Sequence, residues 1–293
     1  MAVAFGSIAT ATVSETGTAN SLTITKPASL AAGDLMLAIF GYSGNTAEWA
    51  LTGWTSALAT SDTSARVLNV LLKVATSGDA SASDFTFTIS GGEPNNVCGA
   101  ILRITGSAFA GTANVVATDS DTSGAQNPSY SGGVTPGAAN TLLIMGAVAG
   151  GSVTGVTTGS YAVVNDNPTW TERADLTETG GASNDILLAI ATATFSVGTA
   201  TGNYSLSFSA DPGDSIGFLL SINETTNVTV SPTVITSSLN VQAPTVSGGA
   251  TVTVGSTLSI VLNIVAPTVS AGTAKWSNTD KSSAPTYTNT DKS

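Results

Sequence analysis

Four short motifs occur twice in this chain, in the same order and at nearly the same separation. GWT (53–55) returns as TWT (169–171), VLLKVAT (70–76) as ILLAIAT (186–192), FTFTIS (85–90) as YSLSFS (204–209) and GAILRI (99–104) as GFLLSI (217–222). The offsets are 116, 116, 119 and 118 residues, so only loops change length between copies. DLML (34–37) and TLLI (141–144) align at 107, which asks for a longer loop in the second copy. A repeat of this kind is one supersecondary unit used twice, and two such units pack about a pseudo-twofold axis. The motifs are themselves strand-like. DFTFTIS (84–90) and NYSLSFS (203–209) alternate strictly, so one face of each strand is expected to be buried and the other wet.

Strands are predicted near 3–13, 21–26, 34–41, 53–59, 66–75, 84–90 and 97–105, and again near 113–118, 141–148, 160–165, 169–174, 184–195, 203–209 and 215–222. The segments SGGEPNN (90–96), SGGVTPGAAN (131–140) and ADPGD (210–214) punctuate them as turns. No window shows a helical period with caps. The expected fold is all-β: a jelly-roll-like antiparallel β-sandwich over 1–224, built from two related half-units at about 20–106 and 139–224. With six or seven strands in each half, one sandwich shared by both is preferred over two that close alone, and the pattern itself leaves both open.

Composition narrows the chemistry. Only 9% of residues are charged, against a usual share of roughly 25%. Thr, Ser, Ala and Gly fill the difference and disfavour long helices with a charged wet face. The net charge is −11 with eight Lys plus Arg, too few cations to neutralise many phosphates or to hold an anionic membrane. There is no His, which removes Ser-His-Asp triads, His metal sites and His acid–base catalysis. The single cysteine, Cys98, lies in VCGAILRI (97–104). It can form no internal disulfide and reads as a small buried hydrophobe.

Carboxylates give no catalytic pair. Asp211 and Asp214 flank a Pro-Gly turn, and Asp119 and Asp121 lie in ATDSDTSG (117–124). Such residues normally bond their own turn backbone. The second loop has a D-x-D flavour that could hold Ca²⁺, but it lacks the distal glutamate of an EF-hand. Glu48, Glu93, Glu172 and Glu178 obey no spacing that selects two for glycoside hydrolysis. No phosphate-cradling glycine motif occurs. The expectation is therefore no enzyme, no catalytic residues, no cofactor and no metal.

No stretch reaches the roughly 18 apolar residues of a membrane span. The N-terminus, MAVAFGSIATATVS, has no basic n-region and no compact apolar h-region, so a signal peptide is not expected. A chain with an extracellular texture but no export signal suits a protein made in a host cytoplasm and released by lysis.

The texture changes near residue 225. PTV recurs at 232–234, 244–246 and 267–269, with STL at 256–258 completing a spacing of 12, 12 and 11. Short alternating strands lie between: SLNVQ (238–242), ATVTV (250–254) and VLNIV (261–265). Proline fixes the turns and cannot sit in a central ladder. The segment 225–273 has no aromatic residue and too little apolar surface to offset its chain entropy alone. Assembly with identical chains is expected, a homotrimeric β-shaft being the obvious form. The alternative is a small β module that docks on the main domain. The tail, 274–293, repeats WSNTDKS (276–282) as YTNTDKS (287–293). Trp276 and Tyr287 are candidate docking residues for a neighbouring subunit or the next structural protein. Trp54 and Trp170 occupy equivalent places in the half-units and are expected in the core. Trp49 has no counterpart and is the candidate for an exposed contact, suited to stacking on sugar.

The order GDLMLAIFGY (33–42), GWTSAL (53–58), VLLKVATSGDASASDFTFTIS (70–90) and GAILRITG (99–106) resembles a recurrent β-sandwich module of phage tail, fibre and capsid-surface proteins, also found in some bacterial surface proteins. The resemblance continues through ANTLLIMGAV (139–148), PTWTERADL (168–176) and ILLAIATATFSVGTATGNYSLSFS (186–209). The APTVS repeats and the aromatic tail look like endings of phage structural proteins. The resemblance implies a non-enzymatic component of a virion surface: a tail fibre, tip or baseplate protein, or a capsid decoration or spike. Its implied partners are itself, other virion proteins and a host surface glycan. A bacterial cell-surface or secreted carbohydrate-binding module is the alternative.

Overall fold

The computed structural model describes residues 3–14, 20–44, 47–61, 66–90, 94–106, 109, 115–117, 129–130, 133–136, 141–151, 153, 156–165, 167–179, 185–196, 200–210 and 214–223. The chain divides into two units, Met1–Val228 and Thr229–Ser293. The repeat strands of 225–273 and the tail 274–293 lie outside the described residues.

All fourteen predicted strands of the first unit are present. The first half holds β1 (Ala4–Val13), β2 (Ser21–Thr25), β3 (Leu35–Ser43), β4 (Trp49–Ala50), β5 (Thr55–Ser61), β6 (Arg66–Val74), α1 (Ser77–Ser81), β7 (Asp84–Ile89) and β8 (Val97–Thr105). The second holds β9 (Val115–Ala117), β10 (Ser129–Tyr130), β11 (Thr141–Gly151), β12 (Thr158–Val163), β13 (Thr171–Glu178), β14 (Asp185–Phe195), β15 (Tyr204–Phe208) and β16 (Asp214–Ile222). β4 and β10, of two residues each, complete eight strands per half rather than six or seven.

The halves share one topology. In the first, a five-stranded sheet runs β1-β8-β3-β6-β5 and a three-stranded sheet β2-β7-β4. In the second the orders are β9-β16-β11-β14-β13 and β10-β15-β12. All pairings are antiparallel. First strand lies beside last, the nesting that a jelly-roll-like wrapping needs. The departure is β5, and likewise β13, which pairs with the strand after it in the larger sheet.

Each half is a sandwich of a five- and a three-stranded sheet with its own core, and the two halves stack on their five-stranded sheets through a shared core, giving four layers. Alternate residues of β3 serve two cores. Leu35, Leu37 and Ile39 join Ile144, Leu188 and Phe218 in a central cluster between the five-stranded sheets. Met36, Ala38 and Phe40 turn outward to Leu22, Ile24 and Phe87 of the first small sheet. In the second half Leu143, Met145 and Ala147 meet Val163, Tyr204 and Leu206 in the same way. A sheet covered on both faces has no wet side, so β3 and β14 read as near-continuous apolar runs while β7 alternates. Gly41 of β3 lies against Val148 of β11, its own equivalent at the 107-residue offset. A Cβ on Gly41 would stand 2.8 Å from a Val148 methyl, so this site lets the two central strands approach.

Register corrects one motif match. Val70 faces Ile39, whereas the residue facing Gly146, the equivalent of Ile39, is Ile190. The structural partner of Val70 is thus Ile190, four residues beyond the Ile186 that motif matching selects. An apolar strand resembles itself at every even shift, and an even slip keeps each side chain on its face. β5 and β13 do keep the motif offset, including a β-bulge between Ser56 and Leu58 that recurs between Glu172 and Ala174.

The helix α1 was not expected. It is a single turn, too short to show a period, and its cap is Thr76-Ser-Gly-Asp79, with aspartate where a capping box usually carries Glu or Gln. Thr76 Oγ1 accepts from Asp79 N–H, and the Asp79 carboxylate accepts from Thr76 N–H at 2.8 Å and from Lys73 Nζ at 2.6 Å. Burial pushes the Asp79 carboxyl up, but the bonds from Lys73 and Thr76 outweigh it and hold the pKa below the ordinary value. A depressed carboxylate stabilises the fold above its unfolded pKa, and that contribution disappears as pH falls through the lower folded value. Asp79→Asn is expected to cost about 1–2 kcal/mol at pH 7 and to remove part of the acid destabilisation, checked by urea unfolding from pH 7 down to below the ordinary carboxylate range. Among the described residues no helix is long and apolar enough to cross a membrane.

Candidate functional site

The aromatic candidates come first. Trp49 is 1% exposed and corrects the expectation of an exposed contact. β4 is the edge of the small sheet, and its tryptophan turns inward. The indole stacks on Phe40 with centroids 5.4 Å apart and meets Tyr42 edge-on. Its backbone N–H donates to the buried Asn69 Oδ1 at 3.0 Å. The missing counterpart reflects a different distribution of bulk between the halves, not a surface role. Trp54 and Trp170, expected in the core, are half-buried at its margin. Trp54 packs edge-on to Phe85 and Phe87. Trp170 lies beside Tyr161 and donates from Nε1 to Asn167 Oδ1 at 3.2 Å. Trp276 and Tyr287 lie outside the described residues.

The polar candidates are dispersed. Among the described residues no three His, Cys, Asp or Glu gather to hold a metal ion. Asp119, Asp121, Asp211 and Glu93 lie outside the described residues. Glu172 has its carboxyl pushed up, by burial first and then by the charge of Asp175. Asp175 in turn accepts from Thr158 N–H at 2.8 Å and Oγ1 at 2.6 Å, which ties β12 to β13. Cys98 is fully buried, with Sγ 3.6 Å from the Leu176 carbonyl and 3.7 Å from that of Ile186. Burial pushes its thiol far up, so the thiolate that would react does not form at neutral pH.

The structure adds a feature outside the sequence expectations. A groove of about 750 Å³ opens where the start of β1 meets β13, β14 and the segment before β13. Phe5, Asn167, Thr171, Arg173, Thr192 and Thr194 line it. Arg173 is the extra residue of the β13 bulge. A bulge leaves its residue outside the ladder and re-aims the side chain, here across to the other half. The guanidinium lies over the Phe5 ring, 4.0 Å from the centroid, and Nε donates to Thr192 Oγ1 at 2.8 Å. Desolvation lowers the Arg173 pKa, though a guanidinium stays protonated at any ordinary pH. Among the described residues no carboxylate pairs with it. The available signal was a charged residue at a repeat position whose twin is Ala57, in a chain with only eight Lys plus Arg.

No family model, no curated protein and no solved structure matches the chain.

Proposed function

We propose that the chain is a non-enzymatic structural component of a bacteriophage virion surface, in a tail fibre, tip or baseplate or as a capsid decoration or spike. The observation that carries this is the succession, in one chain, of a doubled four-layer β body and a Pro-Thr-Val repeat of period 12. A body with two covered central sheets has few ways to move, which suits mechanical work. The repeat carries too little apolar surface to fold alone, which suits joining to identical chains as a homotrimer or to other virion proteins. Light scattering after size exclusion tests the assembly step. The full chain is expected to run as a trimer and a chain ending at residue 224 as a monomer. Monomers in both cases would remove the basis for a shaft.

A carbohydrate-binding surface module is the second reading. The groove at Arg173 favours it, since hydroxyl and amide side chains make up half of its described lining.

A further inference from the structure

We propose that the groove between the half-units is a binding site for an acidic saccharide, with Arg173 receiving the carboxylate. The inference concerns this groove alone and holds whether or not the chain belongs to a virion.

The doubled fold supplies its own control. By bulge position and register, Arg173 is the equivalent of Ala57, and Thr192, which faces Thr171, is the equivalent of Leu72, which faces Thr55. Ala57 and Leu72 pack on the central core. The same backbone therefore closes with two small or apolar residues, and the fold does not require an arginine or a hydroxyl here. Thr192 is only 2% exposed. A buried hydroxyl in place of a leucine costs stability unless it is bonded, and its bond is to Arg173 Nε. The pair thus positions a guanidinium at the groove.

The remaining chemistry selects the ligand. With Nε bound to Thr192 and the plane resting on Phe5, the guanidinium is fixed in orientation. Its terminal amines fit the two oxygens of a planar carboxylate. Among the described residues no Asp or Glu lines the groove, in a chain of net charge −11. Its volume of about 750 Å³ far exceeds a bare carboxylate. The rest of the wall includes Asn167, Thr169, Thr171, Thr194 and Ser196, donors and acceptors that match sugar hydroxyls. With one cation among the described residues and hydroxyl and amide side chains along half of its lining, the groove suits a uronic-acid-like ring better than a phosphate, which draws more than one cation.

The test is calorimetric titration of the full chain with glucuronate, against glucose, acetate and inorganic phosphate. Glucuronate is expected to bind saturably and the other three at least about tenfold more weakly. Arg173→Ala is expected to weaken glucuronate by about tenfold or more and, because it leaves the buried Thr192 hydroxyl without its bond, to lower the thermal transition as well. Arg173→Ala with Thr192→Leu, which copies the twin pair, is expected to recover the thermal transition while the affinity stays lost. Arg173→Lys keeps charge and stem but not the fork, and is expected to lose most of the affinity. No saturable glucuronate binding would overturn the proposal. Equal binding by Arg173→Ala would do the same, as would acetate or phosphate binding as tightly as glucuronate.

Discussion

Replacing Phe218 with alanine is expected to destabilise the β body by about 3–5 kcal/mol, measured as the shift in urea unfolding. Phe218 is fully buried in the central cluster, on β16. Its cross-strand partner is Gly146, and the equivalent pair in the first half is Ile39 with Ala100. Bulk has changed sides between the copies. One half places a large residue on the middle strand and a small one beside it; the other does the reverse. A Cβ on Gly146 would stand 2.6 Å from the Phe218 ring and 2.3 Å from the Ala189 carbonyl. Phe218→Ala therefore opens a cavity opposite a residue with no side chain to collapse into it. Gly146→Ile alone overpacks the layer and is also expected to destabilise. The double variant copies the first-half pair and is expected to recover about 1–3 kcal/mol of the summed losses as coupling. Recovery stays incomplete, because the Ala189 carbonyl still crowds the site. A loss below about 1 kcal/mol for Phe218→Ala would contradict close packing between the sheets.

Trp49→Ala is the second large loss, about 3–5 kcal/mol. The indole fills the first outer core against Phe40 and Tyr42. Its Nε1 is buried with no hydrogen-bond partner. Trp49→Phe removes that orphaned group along with some volume, so its cost is expected to stay below about 1.5 kcal/mol. The contrast separates core from contact. A tryptophan that stacked on sugar would tolerate alanine in stability and fail in binding. Trp49 is expected to do the opposite, with thermal unfolding and glucuronate titration read on the same variants.

Strand positions were legible because the signals were local. Alternation marks β7 and β15, and apolar runs such as VLLKVAT and TLLIMGAV mark β6 and β11. The layering was less legible. Those runs already imply sheets covered on both sides, but β4 and β10 are two residues long and carry no periodic signal. Without them each half falls short of a closed set. α1 escaped for the same reason of length. Trp49 lacks a counterpart in the second half and is nevertheless core, because the halves distribute bulk differently and a repeat comparison reads only shared positions. Arg173 stayed hidden because its meaning is comparative. It becomes informative only when bulge and register place it over Ala57, and motif matching alone had slipped the neighbouring strand by four residues.

The inner cluster belongs to neither copy. Leu37, Leu72 and Leu102 are covered by Ile144, Leu188 and Leu220, and the covering is mutual. Either copy expressed alone would present an oily five-stranded face to water, and a second identical copy is the nearest surface of matching shape. The tandem arrangement is in effect a homodimer whose subunits have been joined end to end. Once joined, the two can diverge. One partner can keep a plain aliphatic seam while the other accumulates polar substitutions, without either losing its mate.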